Sequence, residues 1–86
     1  MKLYGKLMRE RKIMREEVAI NIDDNLSFHG KLEKCLIEVC GKLECQVPLW
    51  LDKNTKEFVL YRRTFFSQEQ FMEKPWFSKL EIRLGE

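Results

Sequence analysis

Between Leu32 and Leu43 apolar residues recur at intervals of three and four: Leu32, Cys35, Leu36, Val39, Cys40 and Leu43. That spacing gathers all six on one stripe of an α-helix, whereas a strand would scatter them over both faces. A three-turn stripe of this kind has to be covered by another element. Ser27 is the expected N-cap, because its hydroxyl can accept from an orphan amide of the first turn, and Asp23 and Asp24 suit the positive end of the helix. Lys34, Glu38 and Lys42 lie four apart on another face as ion-pair partners. Gly30 and Gly41 weaken the helix by up to about 1 kcal/mol each, and it must end before Pro48.

The covering surface is sought in segments of period two. Residues 3–9 and 12–22 read as two strands joined near Arg9-Glu10-Arg11-Lys12. Leu3, Gly5 and Leu7 alternate with Tyr4, Lys6 and Met8. In the second segment Met14, Val18, Ile20 and Ile22 define the expected buried face, with Glu16 among them reached by a nearby Lys or Arg. Trp76, Ser78, Leu80, Ile82 and Leu84 alternate with Phe77, Lys79, Glu81 and Arg83, the cleanest strand in the chain.

Between the stripe and this last strand lies Pro48-Leu49-Trp50-Leu51, expected to pack under the sheet–helix interface. Asn54-Thr55-Lys56-Glu57 then resembles a capping box, with Asn54 as cap. It predicts a shorter helix over about 53–63 that puts Phe58, Tyr61 and Phe65 on one face. Val59, Tyr61 and Thr64 also favour sheets, so a strand reading of the same residues stays open. Residues 67–70 read as a single turn with Phe71 inward. The expectation is an α+β fold for residues 1–86 as one domain: a three-stranded, mainly antiparallel sheet in the order β-β-α-α-β with helices packed on one face. Such a sheet leaves one face and two edges uncovered.

Chemistry is harder to find. His29 is the only histidine, and Cys35, six residues on, would point to another side of the helix, so Cys–His catalysis is not expected. Glu16-Glu17 would point to opposite strand faces, and Asp23-Asp24 lacks the further oxygen ligands of a cation site. Cys35, Cys40 and Cys45 are spaced five and five, unlike zinc ligand pairs, and read as packed thiols. The four glycines are scattered and form no phosphate-cradling loop. No catalytic, cofactor or metal site is expected, and the chain reads as non-enzymatic. No apolar run approaches the roughly 20 residues that span a bilayer, and the first residues carry charge without an apolar h-region, so a cytoplasmic location is expected.

Two features point to a binding surface. Two Trp, two Tyr and six Phe are dense for 86 residues. Net charge is only +2, yet Lys2, Lys6, Arg9, Arg11, Lys12 and Arg15 stand against the single Glu10 in the first 15 residues, and Arg62-Arg63 adds a second basic pair beside Tyr61. The candidate interaction surface is therefore Arg9, Arg11, Lys12, Trp50, Tyr61, Arg62 and Arg63. The first expectation is a small interaction domain that binds a protein partner or self-associates as a homodimer. The second is a nucleic-acid-binding accessory or regulator that uses the basic N-terminal hairpin.

The segments Leu3-Tyr4-Gly5-Lys6-Leu7, Pro48-Leu49-Trp50-Leu51-Asp52-Lys53-Asn54 with Glu57-Phe58, Arg63-Thr64-Phe65-Phe66, Phe71-Met72-Glu73 and Leu80-Glu81-Ile82 resemble a group of short hypothetical proteins from clostridial Gram-positive bacteria. The resemblance spans most of the chain and implies a bacterial cytoplasmic domain. It transfers no activity, cofactor, partner or site residue.

Overall fold

In a computed structural model, which describes residues 1–85, the helical stripe lies across a four-stranded sheet. The elements run β1 (Lys2–Arg9), β2 (Lys12–Ile20), α1 (Phe28–Leu43), α2 (Asp52–Tyr61), β3 (Arg63–Ser67), a single 3-10 turn (Gln68–Gln70) and β4 (Lys79–Leu84). All neighbours are antiparallel, in the order β2-β1-β4-β3. The α+β class and the antiparallel sheet match the expectation. The strand count does not: β3 is a fourth strand.

The reason is Arg62. Helix α2 forms close to where the capping pattern puts it, but Arg62 adopts a left-handed backbone (φ 57°) and its N–H closes on the Phe58 carbonyl at 2.9 Å. The chain leaves the helix there and enters β3 with no intervening loop. Phe65, expected inward beside Phe58 and Tyr61, therefore points away from the helices, while Phe66 is fully buried. The start of α2 also differs. Leu51 is the N-cap and Asn54 the third helical residue, whose side-chain carbonyl accepts from the Leu51 N–H at 2.9 Å.

The six stripe residues of α1 are all buried, and Ser27 Oγ accepts from the Gly30 N–H at 3.1 Å as its N-cap. The helix lies on the face of β1 made by Leu3, Gly5 and Leu7. At Gly5 it comes so near that a Cβ would sit 3.0 Å from Val39 Cγ2 and 3.1 Å from Leu43 Cδ1. This placement inverts the expected faces of β2. Leu3 pairs with Ala19, so Ala19 is buried, while Met14, Ile20 and Ile22 are exposed. Glu16 faces away from the helices and lies 3.8 Å from Lys6. A bulge between Leu7 and Met8 breaks the alternation in this hairpin.

Side chains hold the free edge. Lys42 Nζ donates to the Val18 carbonyl at 2.8 Å, and Arg15 donates to the Lys42 and Leu43 carbonyls and to Glu44 Oε1 (3.2, 3.2 and 2.9 Å). Positive charge thus meets the negative end of α1, and the β2 edge is partly covered. The hairpin loop is Glu10-Arg11, with Glu10 left-handed (φ 58°) and its N–H donating to Ser78 Oγ at 2.8 Å. At the far strand Trp76, expected in the sheet, is half exposed ahead of β4, and Phe77 is buried in its place. Of the Pro48–Leu51 segment, Pro48 and Trp50 pack inward while Leu49 and Leu51 face out.

Candidate interaction surfaces

The helix layer carries the first surface. Helix α1 rests on β1 and β2, and α2 rests on β3, so the two helices do not close against each other. Trp50, Phe58 and Leu36 floor the furrow between them. The indole is fixed by an Nε1–H bond to Thr55 Oγ1 at 2.8 Å and by ring contacts with Phe58 (5.9 Å, edge-on) and Phe66 (5.6 Å). The result is an apolar groove of about 380 Å³. Its walls carry Phe28 on α1, 56% exposed, and Val59 on α2, 76% exposed. The same layer exposes Ile37, Leu51 and Leu60. Large apolar side chains gathered at a groove mark an interaction site more often than a solvated face. The groove's polar rim is His29 and Glu33, 3.6 Å apart.

The second surface is the side of the sheet with no helix on it. Alternation and register place Lys2, Tyr4 and Lys6 of β1, Glu16 and Val18 of β2, Lys79, Glu81 and Arg83 of β4, and Arg63 and Phe65 of β3 there. Glu81 is nearly buried, with Lys6 at 3.9 Å and Arg63 at 4.0 Å. Arg83 stands over the Tyr4 ring at 4.6 Å, and Lys79 over Phe65 at 4.5 Å. Each such contact contributes about 0.5–1 kcal/mol at an exposed site.

The residues singled out from the sequence do not form one surface. Arg9, Arg11 and Lys12 cluster at the hairpin tip. Arg62 and Arg63 sit towards the opposite end of the sheet, level with Leu3 and Tyr4 and so about 17–20 Å from Arg9 along β1 at some 3.3 Å per residue. Trp50 belongs to the groove, and Tyr61 projects from the last turn of α2. Phe28, Val59, Tyr4, Phe65 and Arg83 were not among the sequence candidates. The sequence shows Lys79, Glu81 and Arg83 alternating with Leu80, Ile82 and Leu84, but only the register shows what lies beside them.

The thiols have their own geometry. Glu44 is left-handed (φ 59°). Its N–H donates to the Gly41 carbonyl and the Cys45 N–H donates back to the Cys40 carbonyl at 3.0 Å, so α1 ends in a Schellman motif. That motif folds Cys45 against Cys40. The hydrogen bond between the two sulfurs, helped by burial, pushes the Cys40 thiol up. The same bond, with the Arg15 guanidinium adding to it and burial opposing it, holds Cys45 below the ordinary thiol range. Burial pushes Cys35 up. Iodoacetamide is therefore expected to modify Cys45 first, with a rate that rises through a midpoint below that of an ordinary thiol. Cys35 and Cys40 are expected to react only on unfolding. Peptide mapping after timed alkylation checks this, and equal rates at Cys35 and Cys45 would contradict it.

Among the described residues no cluster of His, Cys, Asp or Glu is arranged to hold a metal ion, and no helix is long and apolar enough to cross a membrane. The chain matches no protein family profile, no curated protein sequence and no solved structure.

Proposed function

We propose that the chain is a non-enzymatic interaction domain of a reducing cytoplasm, which keeps its three thiols free, and that it pairs with a second copy of itself through the α1–α2 groove. The observation that carries this reading is the apolar groove flanked by Phe28 and Val59. A two-fold interface needs a patch that is complementary to itself. Here a protruding ring and an open furrow lie on the same patch, so Phe28 of each copy can enter the furrow of the other. A standard interface covers about 800 Å² per partner, roughly an eighth of the 6043 Å² surface. His29 and Glu33 stay largely exposed at the rim, and no buried charge lines the groove, which keeps the desolvation cost low.

Size-exclusion chromatography with light scattering, run from micromolar to millimolar protein, tests it. The expected mass rises from 10.4 kDa towards twice that value. Val59→Glu places a charge in the interface and is expected to hold the chain monomeric with its circular dichroism unchanged, because Val59 is exposed in the single chain. Ile13→Glu, on the β2 edge, is expected to leave the association intact. A wild-type chain monomeric at every concentration, or one dissociated by Ile13→Glu and not by Val59→Glu, would overturn the reading.

A further inference from the structure

We infer that the open face of the sheet binds single-stranded nucleic acid. Lys2, Arg62, Arg63 and Arg83 form its phosphate site, and Tyr4 and Phe65 are stacking platforms. This stands apart from the groove, which lies on the other side of the sheet.

Among the described residues, much of the positive charge on this face lacks carboxylate partners. Arg63 pairs directly with Arg83 across β3 and β4, and Arg83 with Tyr4 across β4 and β1. Like charges directly opposite in a sheet are unfavourable. Among the described residues no carboxylate lies within 4.0 Å of Lys2, Arg62 or Arg83, and Arg63 shares the one Glu81 with Lys6. Lys2, Arg62 and Arg83 surround an open corner with Tyr4, Leu84 and Gly85, and Arg63 lies beside it across from Arg83. The corner is rigidly built. The Leu84 N–H donates to the Arg62 carbonyl at 2.8 Å, and the Gly85 N–H to the Lys2 carbonyl at 2.7 Å. Phosphate oxygens bound by Arg83, with Arg62 across the corner, would offset its repulsion with Arg63 through charge-assisted bonds.

The basic surface continues past this corner, which favours a strand over a lone anion. Lys6 and Lys79 carry it along the sheet, so that among the described residues, with Arg62 at the rim, six cations face two carboxylates, Glu16 and Glu81. Both carboxylates are already paired, Glu16 with Lys6 and Glu81 with Lys6 and Arg63. The rings of Tyr4 and Phe65 lie two strands and two residues apart, about 12 Å at ordinary sheet spacings, a span for alternate bases of an extended strand. Arg83 and Lys2 lie over Tyr4 and Lys79 over Phe65. When a base takes the ring, each cation can turn to the adjoining phosphate. Stacking of a base on an aromatic ring outweighs an exposed cation–ring contact, so the exchange runs towards binding. A duplex hides its base faces and cannot use the rings.

Fluorescence anisotropy of the full chain with a labelled oligothymidylate tests this. Four phosphate contacts predict that affinity falls about 50-fold between 50 and 200 mM salt. The double variant Arg62→Gly with Arg83→Gln is expected to lower the salt slope by about 1.4. Glycine suits the left-handed backbone at position 62, so this variant keeps the fold, which circular dichroism verifies. Tyr4→Ala and Phe65→Ala are each expected to weaken binding about tenfold with the slope unchanged. Neutralising the hairpin tip with Arg9→Gln, Arg11→Gln and Lys12→Gln is expected to leave binding within about twofold. No binding at 50 mM salt overturns the inference. So does loss of binding in the hairpin variant alone, equal affinity for a duplex with no response to Tyr4→Ala, or binding confined to phosphatidylserine vesicles.

Discussion

Replacing Asn54 by Leu is expected to destabilise the protein by about 3–5 kcal/mol, the largest loss for any single polar position. Asn54 is fully buried and makes four hydrogen bonds. Its amide donates to Thr64 Oγ1 at 2.7 Å and to the Phe65 carbonyl at 2.9 Å. Its carbonyl accepts from the Leu51 N–H and from Gln70 Nε2, both at 2.9 Å. One side chain thus ties the start of α2 to β3 and to the turn that follows it. The Thr64 hydroxyl passes the chain on by donating to Glu57 Oε1 at 2.6 Å. Leucine is close in volume but breaks all four bonds; the Leu51 N–H and the Phe65 carbonyl lose their Asn54 partner, while Gln70 keeps its bond to the Leu49 carbonyl and Thr64 its bond to Glu57. Each stranded buried group costs about 1–3 kcal/mol, and partial hydration at Leu51 and Phe65 keeps the sum near the lower end. Thr64→Val breaks only the two bonds at that hydroxyl and is expected to cost less than half as much. Urea denaturation of the three proteins measures the order, and a loss below about 1 kcal/mol for Asn54→Leu would mean that the network does not hold α2 to the sheet.

Phe66→Ala is expected to cost about 3–5 kcal/mol, and Phe65→Ala less than about 1. Phe66 is fully buried opposite Leu80, with its ring 5.6 Å from Trp50. Deleting it removes the transfer energy of a whole ring and opens a cavity that the surrounding strands cannot collapse into. Phe65 lies on the open face, where only the contact with Lys79 and partial burial are lost. The ordering separates two structures for this segment. A helix continuing from α2 would turn Phe65 inward with Phe58, so a larger loss at 65 than at 66 would contradict the strand.

The elements most legible in the sequence were those whose signal is local. The stripe from Leu32 to Leu43 is long enough to admit one period, and every residue in it is buried. Ser27 caps it because the hydroxyl and the orphan amide are three residues apart. Strand β3 was hidden for the opposite reason. It has only five residues and follows a helix with no breaker, and the break comes from an arginine in a left-handed conformation that residue type alone does not announce. The faces of β2 were misread because the strand lies at an edge. Apolar Met14 and Ile20 remain exposed there, while small Ala19, an unremarkable residue in the sequence, admits the helix. Neither surface was legible as a unit. Arg63, Arg83 and Tyr4 meet through strand pairings between distant parts of the chain, and the groove joins Phe28 to Val59 across two helices. Basic residues near in sequence, at the hairpin tip and after α2, were instead separated to opposite ends of the sheet.

The proposed pairing sets the groove between α1 and α2 of one copy against that of another. Isotope-filtered nuclear Overhauser spectra of a mixed labelled and unlabelled sample read that contact directly. Intermolecular signals are expected from the Phe28 ring to the Val59 and Leu36 methyl groups. Signals arising instead from Ile13, Met14 and Ile20 along the β2 edge, or no intermolecular signals at millimolar concentration, would contradict it.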